Sequence, residues 1–181
     1  MNIAYTMAPG RGDTDLLLAR FAERLAERGV RLCGTVQINS DSAECNGCDM
    51  DVQVLPYGPV IRISQSLGRD ARGCRLDPAA LEEAVTLAAA RLERGVDLLI
   101  VNKFGKHEAS GGGYRGLIAE ALERDIPVLV GLNKVNEAAF SGYTGGLGQG
   151  LAPDDAALWE WARMAGLPGL EAFERRADEA V

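Results

Sequence analysis

The run Asp97-Leu98-Leu99-Ile100-Val101 does most to limit what this chain can fold into. Its one charge sits at its first position, so a strand made of it has no polar face for water. It must be covered on both sides, as central parallel strands of α/β sheets are. Polar residues begin abruptly at its end, with Asn102-Lys103-Phe104-Gly105-Lys106-His107-Glu108 and then Ala109-Ser110-Gly111-Gly112-Gly113. Ligands meet open α/β sheets just beyond the C-terminal ends of such strands.

The neighbouring segments supply the cover. Asn2 to Met7 is a mostly apolar run that stops at Ala8-Pro9-Gly10-Arg11-Gly12, and Leu17, Leu18, Phe21 and Leu25 then recur at helical spacing until Gly29, with Asp13 as the N-cap. Val30 to Ile38 reads as a second strand. Met50 to Leu55 and Val60 to Ser64, joined by Pro56-Tyr57-Gly58-Pro59, read as an antiparallel hairpin over about residues 50–64. Asp77-Pro78 opens a helix ending at Gly95, and another helix runs from about Tyr114 to Arg124. Pro127 to Leu132 is a further buried strand, Ser141 to Gly150 a glycine-rich loop, and Asp154 to Ala165 a last helix. Strands alternating with helices predict a three-layer α/β sandwich with a mainly parallel sheet. Loops 9–14, 102–108 and 133–148 then share one rim.

A chain of 181 residues, 47% apolar and 25% charged, suits one domain over residues 1–181, with a charged surface tail after about residue 168. A net charge of −7 and the lack of a basic face argue against nucleic acid as partner. No apolar run reaches the length of a membrane span, and no basic segment precedes the first apolar run, so the expected setting is cytoplasmic, without membrane insertion. The thiols of Cys33, Cys45, Cys48 and Cys74 are then expected reduced, with Cys33 in the core. Trp159 and Trp161 cannot both face inward on one helix. Partial burial, a protein partner or a second copy of the chain each accounts for the outward one.

A strand, a glycine-rich turn and a helix make the setting of a P-loop, where backbone N–H groups and a helix N-terminus face phosphate. Gly10, Arg11, Gly12 and Thr14 supply such donors, but Asp13 stands where the loop lysine belongs. Lys103 and Lys106, on the loop after the apolar strand, are candidates to supply the missing charge. The strand ends in Asn102-Lys103, where hydrolytic P-loop enzymes carry acids for Mg²⁺ and water.

Asn102-Lys103-Phe104-Gly105-Lys106-His107-Glu108, in this setting, resembles the Asp-Glu-Ile-Gly-Lys-Met-Glu run of the thermophile-type nucleoside-triphosphatase family. Together with Ile63-Ser64-Gln65, Leu67-Gly68 and Cys74-Arg75-Leu76-Asp77-Pro78, it looks like domain-of-unknown-function family 2478 over residues 3 to about 161. That bacterial family is often encoded beside molybdate-transport or molybdoenzyme genes. The resemblance implies a P-loop-NTPase-like fold, in which Gly12, Thr14, Gly105, Lys106 and Glu108 match the nucleotidase pattern while Asp13, Asn102 and Lys103 depart from it.

Three readings follow. The first is a nucleotide- or oxyanion-binding accessory protein linked to molybdenum, taking a nucleoside triphosphate with Mg²⁺, or molybdate, at Gly10, Arg11, Gly12, Asp13, Thr14, Lys103 and Lys106. The second is a slow nucleoside triphosphatase with Thr14 on Mg²⁺ and Glu108 or His107 orienting water. The third is a metal or redox module on the Cys45-Asn46-Gly47-Cys48 pair with Cys74.

Overall fold

The computed structural model describes residues 2–40, 49–65 and 76–170. A seven-stranded sheet runs through it in the order β4-β3-β2-β5-β6-β1-β7. Its strands are β1 (Ile3–Thr6), β2 (Leu32–Ser40), β3 (Asp49–Val54), β4 (Val60–Arg62), β5 (Leu98–Asn102), β6 (Val128–Gly131) and β7 (Gln149–Leu151). Pairings β2/β5, β5/β6, β6/β1 and β1/β7 are parallel, and β3 is antiparallel to both its neighbours. The hairpin is where its turn residues placed it.

Side-chain alternation along the central strands makes two cores. Ala4, Leu32, Leu98, Ile100 and Leu129 face α1 (Asp13–Glu27) and α6 (Asp155–Met164). Ile3, Cys33, Leu99, Val101, Val128 and Val130 face the other layer, α2 (Pro78–Leu92), the short α3 (Lys106–Ala109), α4 (Arg115–Glu123) and α5 (Glu137–Thr144). All five residues of β5 are buried, as its composition requires. The starts of β2 and β5 are clamped together. Asp97 accepts from the backbone N–H of Arg31 at 2.8 Å and from its guanidinium, and Asp97 N–H donates to the Arg31 carbonyl at 2.7 Å.

Helix ends follow local chemistry where the chemistry is strong. The Asp77 carboxylate accepts from Ala79 and Ala80 N–H, and Pro78 opens α2. The α1 start differs from expectation. Gly12, at φ 84°, is the N-cap, and Asp13 is the first helical residue with no side-chain cap bond. A left-handed φ is open to glycine at no steric cost, so the turn selects Gly12 for the cap.

The segment read as a loop over residues 141–150 is instead the end of α5, a left-handed Gly145, and the edge strand β7. At the C-terminal side the chain stays packed to Leu170, which lies buried with Leu167 beside α1 and α6. Trp161 is buried. Trp159 is half-buried against Phe21, with the Arg24 and Arg28 guanidinium groups over its ring at 5.1 and 4.7 Å, so the chain itself covers the second tryptophan. Among the described residues no helix is long and apolar enough to cross a membrane.

Candidate functional site

The loop between β1 and α1 and the ends of β5 and β6 meet at one rim, as strand direction dictates. Thr14 Oγ1 accepts the Ala8 N–H at 2.8 Å, which pins the loop to the first turn of α1. Leu16 N–H returns to the Gly12 carbonyl at 3.0 Å. Asp13 N–H donates to the Gly10 carbonyl at 3.4 Å, and the next N–H groups of the first turn have no partner within the helix, as at any helix start. Arg11 and Asp13 are exposed. The Asp13 carboxylate folds back over Gly10, so that an ideal Cβ on Gly10 would fall 2.0 Å from Asp13 Oδ2. The loop thus closes on its own negative charge.

Asp15 was not among the expected site residues. It is 3% exposed, and Lys103 Nζ lies 3.3 Å from its Oδ1. The signal was present in the spacing, because Asp15 precedes the inward-facing Leu18 by three residues and shares its helix face. Lys103 therefore reaches α1, where its ammonium pairs with the Asp15 carboxylate.

Asn102 is 2% exposed, and among the described residues neither its Oδ1 nor its Nδ2 has a hydrogen-bond partner. An ideal Cβ on Gly131 would lie 2.6 Å from Asn102 Oδ1 and 2.9 Å from Leu18 Cδ1, which puts the amide on the α1 side of the sheet. A buried amide without partners costs about 1–3 kcal/mol per unsatisfied group, and native structures retain few of them without a role.

Glu108 and Lys106 separate. Lys106 is exposed, and among the described residues no carboxylate pairs with it or with Arg11. Glu108 is buried, its Oε2 accepting Gly105 N–H at 2.8 Å and its Oε1 accepting Tyr114 N–H at 3.3 Å. Its carboxylate holds the backbone of the 105–114 segment. His107 Nε2 lies 3.1 Å from Glu82 Oε1, which also accepts Gly113 N–H at 2.9 Å. The Gly113 N–H first and His107 second hold the Glu82 carboxyl below its usual range.

Beside this rim, on the α2 side, opens a cleft of about 470 Å³. Met50, Val52, Ile63, Leu76, Leu81 and Tyr114 form its apolar wall, and Lys103, Lys106, His107, Ser110, Asn133 and Asn136 its polar mouth. No residue of the loop from Ala8 to Thr14 lines it.

The strand end does not fit a divalent cation. An amide and an ammonium stand there, and the Asp15 carboxylate faces Lys103. Hard cations of this kind want several oxygen ligands, carboxylates among them. Among the described residues no group of three His, Cys, Asp or Glu side chains converges. Cys45, Cys48 and Cys74 lie outside the described residues. Cys33 is fully buried, and burial pushes its thiol up to about 12.

A sheet in this order, covered on both faces, with a glycine turn leading from β1 into a helix, has the architecture of P-loop NTPases. A solved structure titled a human cancer-related nucleoside triphosphatase shares it, at a TM-score of 0.59 and 17% identity over 83% of this chain and 87% of that one. The chain belongs to the family described as protein of unknown function (DUF2478), whose pattern matches residues 3–161. It is also 37% identical over 163 residues to the molybdenum import ATP-binding protein ModC 2 of Bradyrhizobium diazoefficiens. That match takes in 89% of this chain but only 18% of the relative.

Proposed function

We propose that this chain is a binding module of molybdenum import or metabolism, which holds a nucleotide or small oxyanion at the β1 loop and does not hydrolyse it. The observation that carries this reading is the inverted charge of the site. Asp13 and Asp15 occupy the loop and first helical turn, and Lys103 occupies the strand end, with Nζ 3.3 Å from Asp15 Oδ1. A hydrolytic site needs the opposite arrangement, cations on the loop and carboxylates on the strand, because phosphoryl transfer rests on positioning and electrostatic stabilisation. An ion pair stands between the first turn of α1 and the strand end.

Binding is supported by what remains open. The N-terminus of α1, Arg11, which no carboxylate pairs among the described residues, and the Asn102 amide, which has no hydrogen-bond partner among them, lie at this rim. Glu108 acts as a positioning residue for the 105–114 segment. The molybdenum link comes from the family resemblance and from the name of a relative that is a much longer protein.

Calorimetric titration with ATP, ADP, GTP, phosphate and molybdate, without added metal, tests the binding half. Saturable heat for at least one of them, weakened by Thr14→Ala, is expected. No heat from any of the five in folded protein would reject it.

A further inference from the structure

We propose that the cleft between β3, α2 and α3 is a second site, separate from the β1 loop, which takes a small heteroaromatic organic anion. Its size falls within the range of small-molecule pockets, about 300–1,000 Å³, and its volume of about 470 Å³ is far more than a tetrahedral oxyanion fills. The wall chemistry sets the body of the ligand. Met50, Val52, Ile63, Leu76 and Leu81 give an apolar surface against which a flat ring loses water, with the Tyr114 ring beside them. Bare phosphate or molybdate gains nothing from such a wall and loses hydration there.

The mouth sets the charge. Lys106 carries the one ammonium at the cleft with no carboxylate against it among the described residues, since Lys103 faces Asp15. The lining carboxylate, Glu108, is already engaged by the N–H groups of Gly105 and Tyr114. Asn133 and Asn136 add amide groups on the opposite lip, and Ser110 a hydroxyl. The net attraction at the mouth is for an anion.

A bridge beside the cleft also ties α2 to the α3 segment. Glu82 of α2 accepts from Gly113 N–H and contacts His107 across to the α3 segment, so the two walls are tied before any ligand arrives. A site organised in advance spends less of its binding energy on ordering.

Adenosine monophosphate and orotate are suitable probes, with phosphate and molybdate as ring-free controls. Titrations followed by calorimetry and by backbone NMR shifts should show saturable binding of at least one ring-bearing probe, with shifts centred on Met50, Leu81 and Ser110. Leu76→Trp, at a half-buried wall position, fills the cleft and should weaken that binding at least tenfold. Lys106→Glu, on the exposed rim, should do the same with the melting temperature held within a few degrees. Ring-bearing probes that bind Leu76→Trp as well as the parent protein would overturn the proposal. So would the absence of binding by either probe. If they bind through the loop instead, Thr14→Ala abolishes binding and Leu76→Trp does not, which rejects the cleft and upholds the loop reading. Loss of the phosphate or molybdate signal alone in Thr14→Ala leaves the two sites separate, as proposed.

Discussion

At the scale of single residues, two acids govern the site. Asp13 is exposed at the first position of α1, folded over Gly10. Replacing it with lysine changes the local charge by two units. At ~4–6 Å and an effective dielectric of about 20, each unit is worth roughly 3–4 kcal/mol before screening, so a heavily screened remainder still exceeds about 1 kcal/mol. Asp13→Lys should tighten ATP binding about tenfold or more at low salt, read by calorimetry. Because Asp13 is not the cap, its loss removes only a helix-dipole interaction of roughly 0.3–1 kcal/mol. Asp15 behaves differently. Lys103→Met leaves a carboxylate only 3% exposed without this counter-charge. Breaking a fully buried pair costs about 3–5 kcal/mol, and with Lys103 35% exposed we expect roughly half of that in urea denaturation. Adding Asp15→Asn should restore most of the loss.

Cys33 gives a prediction with a definite sign. Burial raises its folded pKa to about 12, while the unfolded thiol titrates near about 8.5. Above pH 9 the unfolded chain releases the proton and the folded chain keeps it, so stability present below that range falls as pH rises towards 12. Cys33→Ala should flatten the alkaline limb of denaturant midpoint against pH by one proton. Of the residues at the candidate site, the positions of Gly12, Thr14, Lys103 and Lys106 followed from a glycine turn and a strand end. Asp15 was not, because an acid in a first helical turn reads as dipole chemistry until its shared face with Leu18 is considered. The partners of His107 and Glu108 were also hidden, since Glu82 lies 25 residues from the histidine it meets.

At the scale of elements, the strongest local signals gave the surest outcomes. Asp77-Pro78 opened α2 as read, and Asp77→Ala should cost about 1 kcal/mol in a thermal melt. Asp97 links the starts of β2 and β5, and the Arg31 guanidinium and N–H hold its carboxyl below the usual range. Its stabilisation is therefore present above the unfolded carboxylate pKa and lost as pH falls through the folded one. Asp97→Asn should give a shallower loss of stability as pH falls below the unfolded carboxylate value of about 3.9, measured by urea unfolding. The failure at residues 141–150 has a physical cause. Five glycines between 142 and 150 masked a short helix and a three-residue strand whose only support is tertiary. The β7 strand pairs with β1 through Ala4, Tyr5 and Thr6, and Gly150 gives room to the Tyr5 hydroxyl, which would lie 3.1 Å from an added Cβ.

At the scale of the molecule, the three-layer architecture was readable because β5 is apolar from Leu98 to Val101 on both faces of the sheet and the helices around it carry clear stripes. What the sequence could not convey was the crossing of charge between loop and strand, since Asp15 and Lys103 are 88 residues apart and their meeting depends on sheet order. That crossing is the central claim, and phosphate release from ATP in the presence of Mg²⁺ tests it most directly. Release by the purified protein is expected to be no faster than in a mock-purified control, with Thr14→Ala indistinguishable from both. Release well above that control and abolished by Thr14→Ala would contradict the claim and make the chain a nucleoside triphosphatase.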